Sequence, residues 1–297
     1  MKANFYDCSY DEKLLENEFL KSHDYYLPFV GVNYKDADVK ILHIGNCPYI
    51  ESSLDLNNQF GCNFFVKNWF NNPIELNKMP IEWTTYCMNT RAVLVEYLSA
   101  TRNPDNKCGI MNYSIFSFVT KMLSNSIVAE RNIGYKRTIN SIRMPKDNSA
   151  NCKTLKAQER RKEKYLNNLT EYKEKTKIYN YVAFTDFHMF PSLINGNAKV
   201  LSSLKKANKC DTIKNDVYKF YDEVKEKSWE TLKHIIKVLQ PDVILITSDS
   251  VSEIFPHSEF DFKVIKKNHP NSLFSKDAKN EYMEEFYKQV ETIVNNK

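Results

Sequence analysis

Short runs of β-branched and aliphatic residues alternate along the chain with longer stretches in which apolar positions recur every three or four residues. The runs predict strands and the spaced stretches predict helices, because side chains repeat every second residue along a strand and about every 3.6 along a helix. Leu14, Leu15, Phe19 and Leu20 predict a helix over 11–27. Val39, Ile41, Leu42 and Ile44 form a strand that Gly45 closes in a tight turn, and Pro48 keeps it from continuing. A helix begins within 64–70, residues 73–83 read as loop, and a further helix from Thr90 carries Val93, Leu94, Tyr97 and Leu98. Residues 113–123 show another apolar helical face, and 155–175 are charged and helical. The β-branched and aromatic stretch 178–190 predicts a strand with Thr185 and Asp186 near its carboxyl end. A long helix over 214–239 presents Trp229, Leu232, Ile236 and Leu239 until Pro241 stops it. Then come a strand at 241–247, a short helix capped by Ser248 or Ser250, a strand over 262–265 that feeds His269, and a last helix from 276 to 294. Strands and helices in this alternation predict one domain over residues 1–297, an α/β fold with three α/β/α layers around a small, mostly parallel four-stranded sheet.

Composition narrows the class. With 42% hydrophobic residues and only 6 Gly and 10 Pro among 297, the chain has enough apolar surface for an ordered core. No run approaches the roughly 18 apolar residues of a membrane span, and the amino terminus lacks the apolar core of a secretion signal, so a cytoplasmic protein is expected. The seven cysteines are odd in number, widely spaced and without a CxxC pair, which predicts reduced thiols; no metal or cofactor is expected. Tyr and Phe, at 18 each, exceed what a core needs and leave rings for stacking on a base.

Charge is uneven. The net charge is +5, yet residues 131–164 hold eleven Arg or Lys against three acids. The segment around 127–177 reads as a basic insertion, either a solvated loop or a flap that contacts phosphates through residues such as Arg137, Arg143 and Arg160.

The two proline-stiffened strand ends, Gly45-Asn46-Cys47-Pro48-Tyr49 and His269-Pro270-Asn271-Ser272-Leu273, resemble the two signature turns of the uracil-DNA glycosylase superfamily. Those turns read Gly-Gln-Asp-Pro-Tyr and His-Pro-Ser-Pro-Leu in the family's best-known branch. The strand over 181–187 resembles the family strand that ends in a base-reading Asn. The resemblance covers 39–70 and 178–294 and leaves 72–177 unmatched. It implies a DNA partner and a base flipped into a pocket, at a cost of a few kcal/mol of unstacking. By the same resemblance Phe64 or Phe60 stacks on the base, Tyr49 walls the pocket, and His269 donates to the base oxygen that gains charge as the glycosidic bond breaks. Asn271 and Ser272, with Lys266 and Lys267 before them, hold the flanking phosphates.

Two departures bear on the chemistry. Cys47 stands where the best-known branch carries the water-positioning Asp, which leaves water to Asn46 or the backbone, or the anionic role to Glu51. Asp186 stands where the reader is Asn; ionised, it offers only acceptors, which favours edges with two donors or an amino group over uracil. A DNA glycosylase not specialised for uracil is the first expectation. A binding protein of the same fold without cleavage is the second, and an unrelated α/β enzyme with Cys47 as nucleophile and His43 as its base is the third.

Overall fold

The computed structural model describes residues 5–46, 89–102, 114–134, 148–189, 214–255, 263–266 and 276–296. Its strands are β1 (Phe29–Val30), β2 (Ile41–Gly45), β3 (Val182–Asp186), β4 (Val243–Ile246) and β5 (Lys263–Lys266). They form one mixed sheet in the order β1-β3-β2-β4-β5, which makes the fold α/β. The ladders β3-β2, β2-β4 and β4-β5 are parallel. The expected four strands therefore become five: β1 pairs antiparallel with β3, Phe29 opposite Phe184 and Val30 opposite Ala183. Two residues are too few to display a period of two, so this edge strand leaves no mark on the sequence pattern.

The parallel strands carry apolar residues on both faces because both faces are covered. Leu42, Ile44, Ala183, Ile244 and Ile246 point to one side, where they cluster with Leu14, Leu20 and with Leu232, Ile235, Ile236 and Leu239 of α7 (Lys214–Leu239). Ile41, Val182, Phe184, Val243, Leu245 and Ile265 point to the other. There they meet Leu94 and Leu98 of α3 (Thr90–Arg102), Val119 and Leu123 of α4 (Ser114–Ser124), and Phe286 and Val290 of α9 (Lys276–Asn295). Removing one of these side chains, as in Ile44→Ala, would cost about 2–5 kcal/mol through lost transfer energy and the cavity left behind.

Three expectations are corrected. The single helix over 11–27 is α1 (Asp11–Leu14), α2 (Glu18–Ser22) and a 3-10 turn at Asp24–Tyr26. Asn17 makes the break, accepting the Leu20 N–H at 3.0 Å as an N-cap while Leu14 and Leu20 keep facing the core. The strand placed over 178–190 is shorter: Lys177–Tyr181 form a 3-10 turn, and the ladder starts at Val182. A further helix, α5 (Ile127–Ile133), stands where only a basic segment was read. Ser126 caps its start, Gly134 ends it in the left-handed region at φ 65°, and Asn132 bonds both the N–H and the C=O of Val39 just before β2.

The rest of the described basic segment holds a 3-10 turn at Ser149–Asn151 and then α6 (Leu155–Thr176), about 33 Å long at 1.5 Å per residue. Its carboxyl half is rooted in the core through Leu169, Tyr172, Lys175 and Thr176. Tyr172 Oη and Tyr97 Oη are 2.7 Å apart, Tyr97 also meets Thr120 Oγ1 at 2.7 Å, and buried Lys175 pairs with Glu171 at 2.7 Å. The amino half is exposed, including Leu155 and Leu166. Ser248, of the two serines considered, caps α8 (Asp249–Ile254).

Candidate functional site

Because β2 to β5 are parallel, Gly45, Asp186, Ile246 and Lys266 all end at one edge of the sheet. β2 has β3 on one side and β4 on the other, so the chain steps from β2 to one neighbour and then crosses to the opposite one. Open α/β sheets bind ligands beyond the carboxyl ends at such a reversal of strand order.

Gly45 and Asp186 are partners in the ladder at this edge. Gly45 keeps an ordinary φ, and what requires glycine there is space: a Cβ would collide with Asp186 Oδ1 and press on the Phe184 ring at 3.2 Å. Alternation puts Asp186, Phe184 and Gly45 on one face with His43, whose ring lies 5.0 Å from that of Phe184. His43 Nε2 meets Thr247 Oγ1 at 2.9 Å, and its Nδ1 is buried without a hydrogen-bond partner among the described residues. Burial pushes His43 down to about 3, so the ring is neutral. Asp186 keeps part of its surface open, yet burial pushes its carboxyl up to about 7. No hydrogen bond or ion pair among the described residues offsets that, so the neutral acid persists well above the usual carboxylate range.

The backbone beyond the ladder stays tied down. Phe187 N–H donates to the Gly45 carbonyl at 3.1 Å, His188 N–H to that of Asn46 at 2.8 Å, and Thr247 N–H to that of Ile44 at 3.3 Å. Asn46 Oδ1 is a buried acceptor without a partner among the described residues. The His188 ring is buried and pushed down to about 3, by desolvation first and by Lys225 second.

Asn46 and Asp186 are thus brought together at the β2-β3 edge. Lys266 ends β5 at the same edge, but its ammonium donates to the Ser252 carbonyl of α8, and a phosphate contact would have to replace that bond. Arg160 is exposed on α6, its Nε donating to the Lys156 carbonyl at 3.3 Å. Cys47, Tyr49, Glu51, Phe60, Phe64, Arg137, Arg143, Lys267, His269, Asn271 and Ser272 lie outside the described residues. Thr247, Phe184 and His188 were not anticipated at the site. Thr247 was detectable as the first polar residue after an apolar run, and Phe184 by counting two back from Asp186.

Among the described residues no group of three His, Cys, Asp or Glu side chains could hold a metal ion, and no helix is long and apolar enough to cross a membrane. In comparisons with known proteins, no family model, no curated protein and no solved structure matched the chain.

Proposed function

We propose that this protein is a DNA glycosylase-like hydrolase on a three-layer α/β/α scaffold. It flips a damaged or modified base into a pocket at the carboxyl edge of the sheet and hydrolyses its N-glycosidic bond, without being specialised for uracil. The observation that carries this reading is the pairing of Gly45 with Asp186, with Asn46 directly after, at the edge where β5 also ends three residues before His269. β5 lies two ladder spacings from β2, roughly 10 Å, and three extended residues span about 10 Å, so His269 is within chain reach of Asn46.

In this reading Asp186 reads the edge of the base while Phe64 or Phe60 stacks on its face and Tyr49 closes the side. Asn46 Oδ1, a buried acceptor without a partner among the described residues, orients the attacking water. As the bond from C1′ to the base nitrogen breaks, its electron pair leaves with the base, and His269 donates a hydrogen bond to the base oxygen that gains charge. Water then adds at C1′ and its proton passes to solvent or to the base. Cys47 supplies no anion as a neutral thiol, so the positive sugar is balanced by Glu51 or left to a good leaving group. Asn271, Ser272 and Lys267 hold the phosphates beside the flipped nucleotide, and Arg137, Arg143 and Arg160 add contacts from the basic segment.

The replacement of the family's Asp by Cys47 favours a second reading, the same site binding a base without cleaving it. A Cys47–His43 nucleophile pair is disfavoured, since an imidazole pushed down to about 3 is too weak a base for a thiol of ordinary pKa near 8.5. Single-turnover incubation with oligonucleotides carrying uracil, hypoxanthine or modified cytosines, followed by alkali, separates the readings. Strand breaks at the modified position are expected. Tight binding that weakens with salt and gives no breaks would leave the binding reading, and neither binding nor breaks would end both.

A further inference from the structure

We propose that Asp186 enters the site as a neutral carboxylic acid, and that the base edge it accepts is one that offers one donor beside one acceptor. This rests on the nucleobase reading above and names the class of base that fits it. Uracil and hypoxanthine present a carbonyl beside an N–H, and cytosine presents an amino group beside a bare ring nitrogen. Guanine presents the same carbonyl beside an N–H and, next to that N–H, a second donor in its amino group. A carboxylic acid has one O–H and one carbonyl and can exchange which oxygen holds the proton, so it pairs with either order of donor and acceptor. An ionised carboxylate, with acceptors only, fits guanine and repels the uracil oxygen.

The surroundings of Asp186 favour the protonated form. One carboxyl oxygen sits over the bare backbone of Gly45, beside the Phe184 ring, which itself packs edge-on against Phe116 of α4. From β2 the titratable neighbour on this face is His43, buried and neutral. Just past β4 the neighbour on this face is Thr247, which does not titrate and is engaged with His43. On α3, which packs against β3, Arg91 is committed to Asp11 and to the Pro28 carbonyl. Past the end of β3, His188 is neutral and Lys225 of α7 acts on that ring. Lys266 on β5 is tied to Ser252. Burial is the sole cause that moves the Asp186 carboxyl, upward to about 7, and no cation on any of these elements draws it back. The base edge that fits therefore changes across neutral pH.

Two readouts test this on the full chain. In a carbon-13 carboxyl titration, with the Asp186 signal assigned by its loss in Asp186→Asn, a midpoint near 7 is expected and one near 4 overturns the proposal. Binding of oligonucleotides with an unpaired uracil, cytosine or guanine is then followed from pH 5.5 to 8.5. Affinity for uracil and cytosine should fall about tenfold per pH unit above the midpoint, while guanine, which can turn two donors to the ionised acid, should not share that fall. Asp186→Asn, which fixes one donor and one acceptor, should flatten the profile. Binding with the same pH-independent preference in both proteins overturns the proton assignment and leaves the nucleobase reading standing; no binding of any oligonucleotide at any pH overturns both.

Discussion

At the scale of single residues, the site depends on one missing side chain. Gly45 was read as a turn residue, but it stays in the ladder with an ordinary backbone, and its lack of a Cβ makes room for Asp186 Oδ1 and the Phe184 ring. A glycine at the end of an apolar run marks the place correctly, while the reason, a carboxyl contributed from 141 residues further on, cannot be seen locally. Gly45→Ala is expected to destabilise the protein by about 1–3 kcal/mol, the usual cost of overpacking. Asp186→Ala removes the atom in the way, so urea denaturation of the double variant should show a smaller loss than the sum of the two singles, with a coupling of at least about 0.5 kcal/mol. Strictly additive losses would mean that the two residues do not share the space.

At the scale of elements, the legible pieces were those long enough to repeat. α3, α4, α7 and α9 carry several turns of spaced apolar residues, β4 is an uninterrupted apolar run, and β2 is one broken only by His43. The misread pieces are those where a local bond overrides a pattern that still looks continuous. Asn17 cuts the first helix without shifting its apolar face, and Tyr179, with its strand-like composition, is buried from a 3-10 turn. α5 was hidden by the basic charge of its surroundings, although Ser126 and Gly134 were visible as its two caps. For α6 the charge reading and the packing divide along its length: the carboxyl half is core, and the exposed half carries Arg160 and Arg161. If that half tracks a DNA backbone, R160E together with R161E should lower the slope of log affinity against log salt by about 1.4 to 1.8, two contacts at roughly 0.7–0.9 each. Stability should change by less than about 0.5 kcal/mol, as expected for exposed positions. An unchanged salt slope would assign this half of the helix to solvent.

At the scale of the whole molecule, strand order was the least legible feature, because nothing in the local pattern of β2 says that it lies between β3 and β4. That order places the strand ends at one edge, and it also sets buried titrating groups against one another. The Asp186 carboxyl is raised from 3.8 to about 7, so the folded chain keeps a proton that the unfolded chain releases; its favourable share is complete below about 4 and lost as pH rises through 7. His43 and His188 are lowered from 6.5 to about 3, so their share is present above 6.5 and lost as pH falls toward 3. Between about 4 and 6.5 the two histidines outweigh the acid by one proton, so stability rises by about 1.4 kcal/mol for each pH unit upward. Asp186→Asn removes the opposing group. Its unfolding free energy, measured in urea at pH 5 and 6, should rise with pH more steeply than that of the native sequence by about 1.4 kcal/mol per unit, and equal slopes would show that Asp186 titrates alike in the folded and unfolded chain.

A nucleobase held at the carboxyl edge of β2, β3 and β5 can be located by photocrosslinking of an oligonucleotide with a single 5-iodouracil, followed by mapping of the attached peptides. Attachment is predicted within 43–51, 184–188 or 264–273, the segments that leave this edge, and competition by an oligonucleotide with an unpaired uracil should abolish it. Crosslinks confined to the opposite edge, where Lys40 and Asp242 precede β2 and β4, would mean that no base is held at the carboxyl edge.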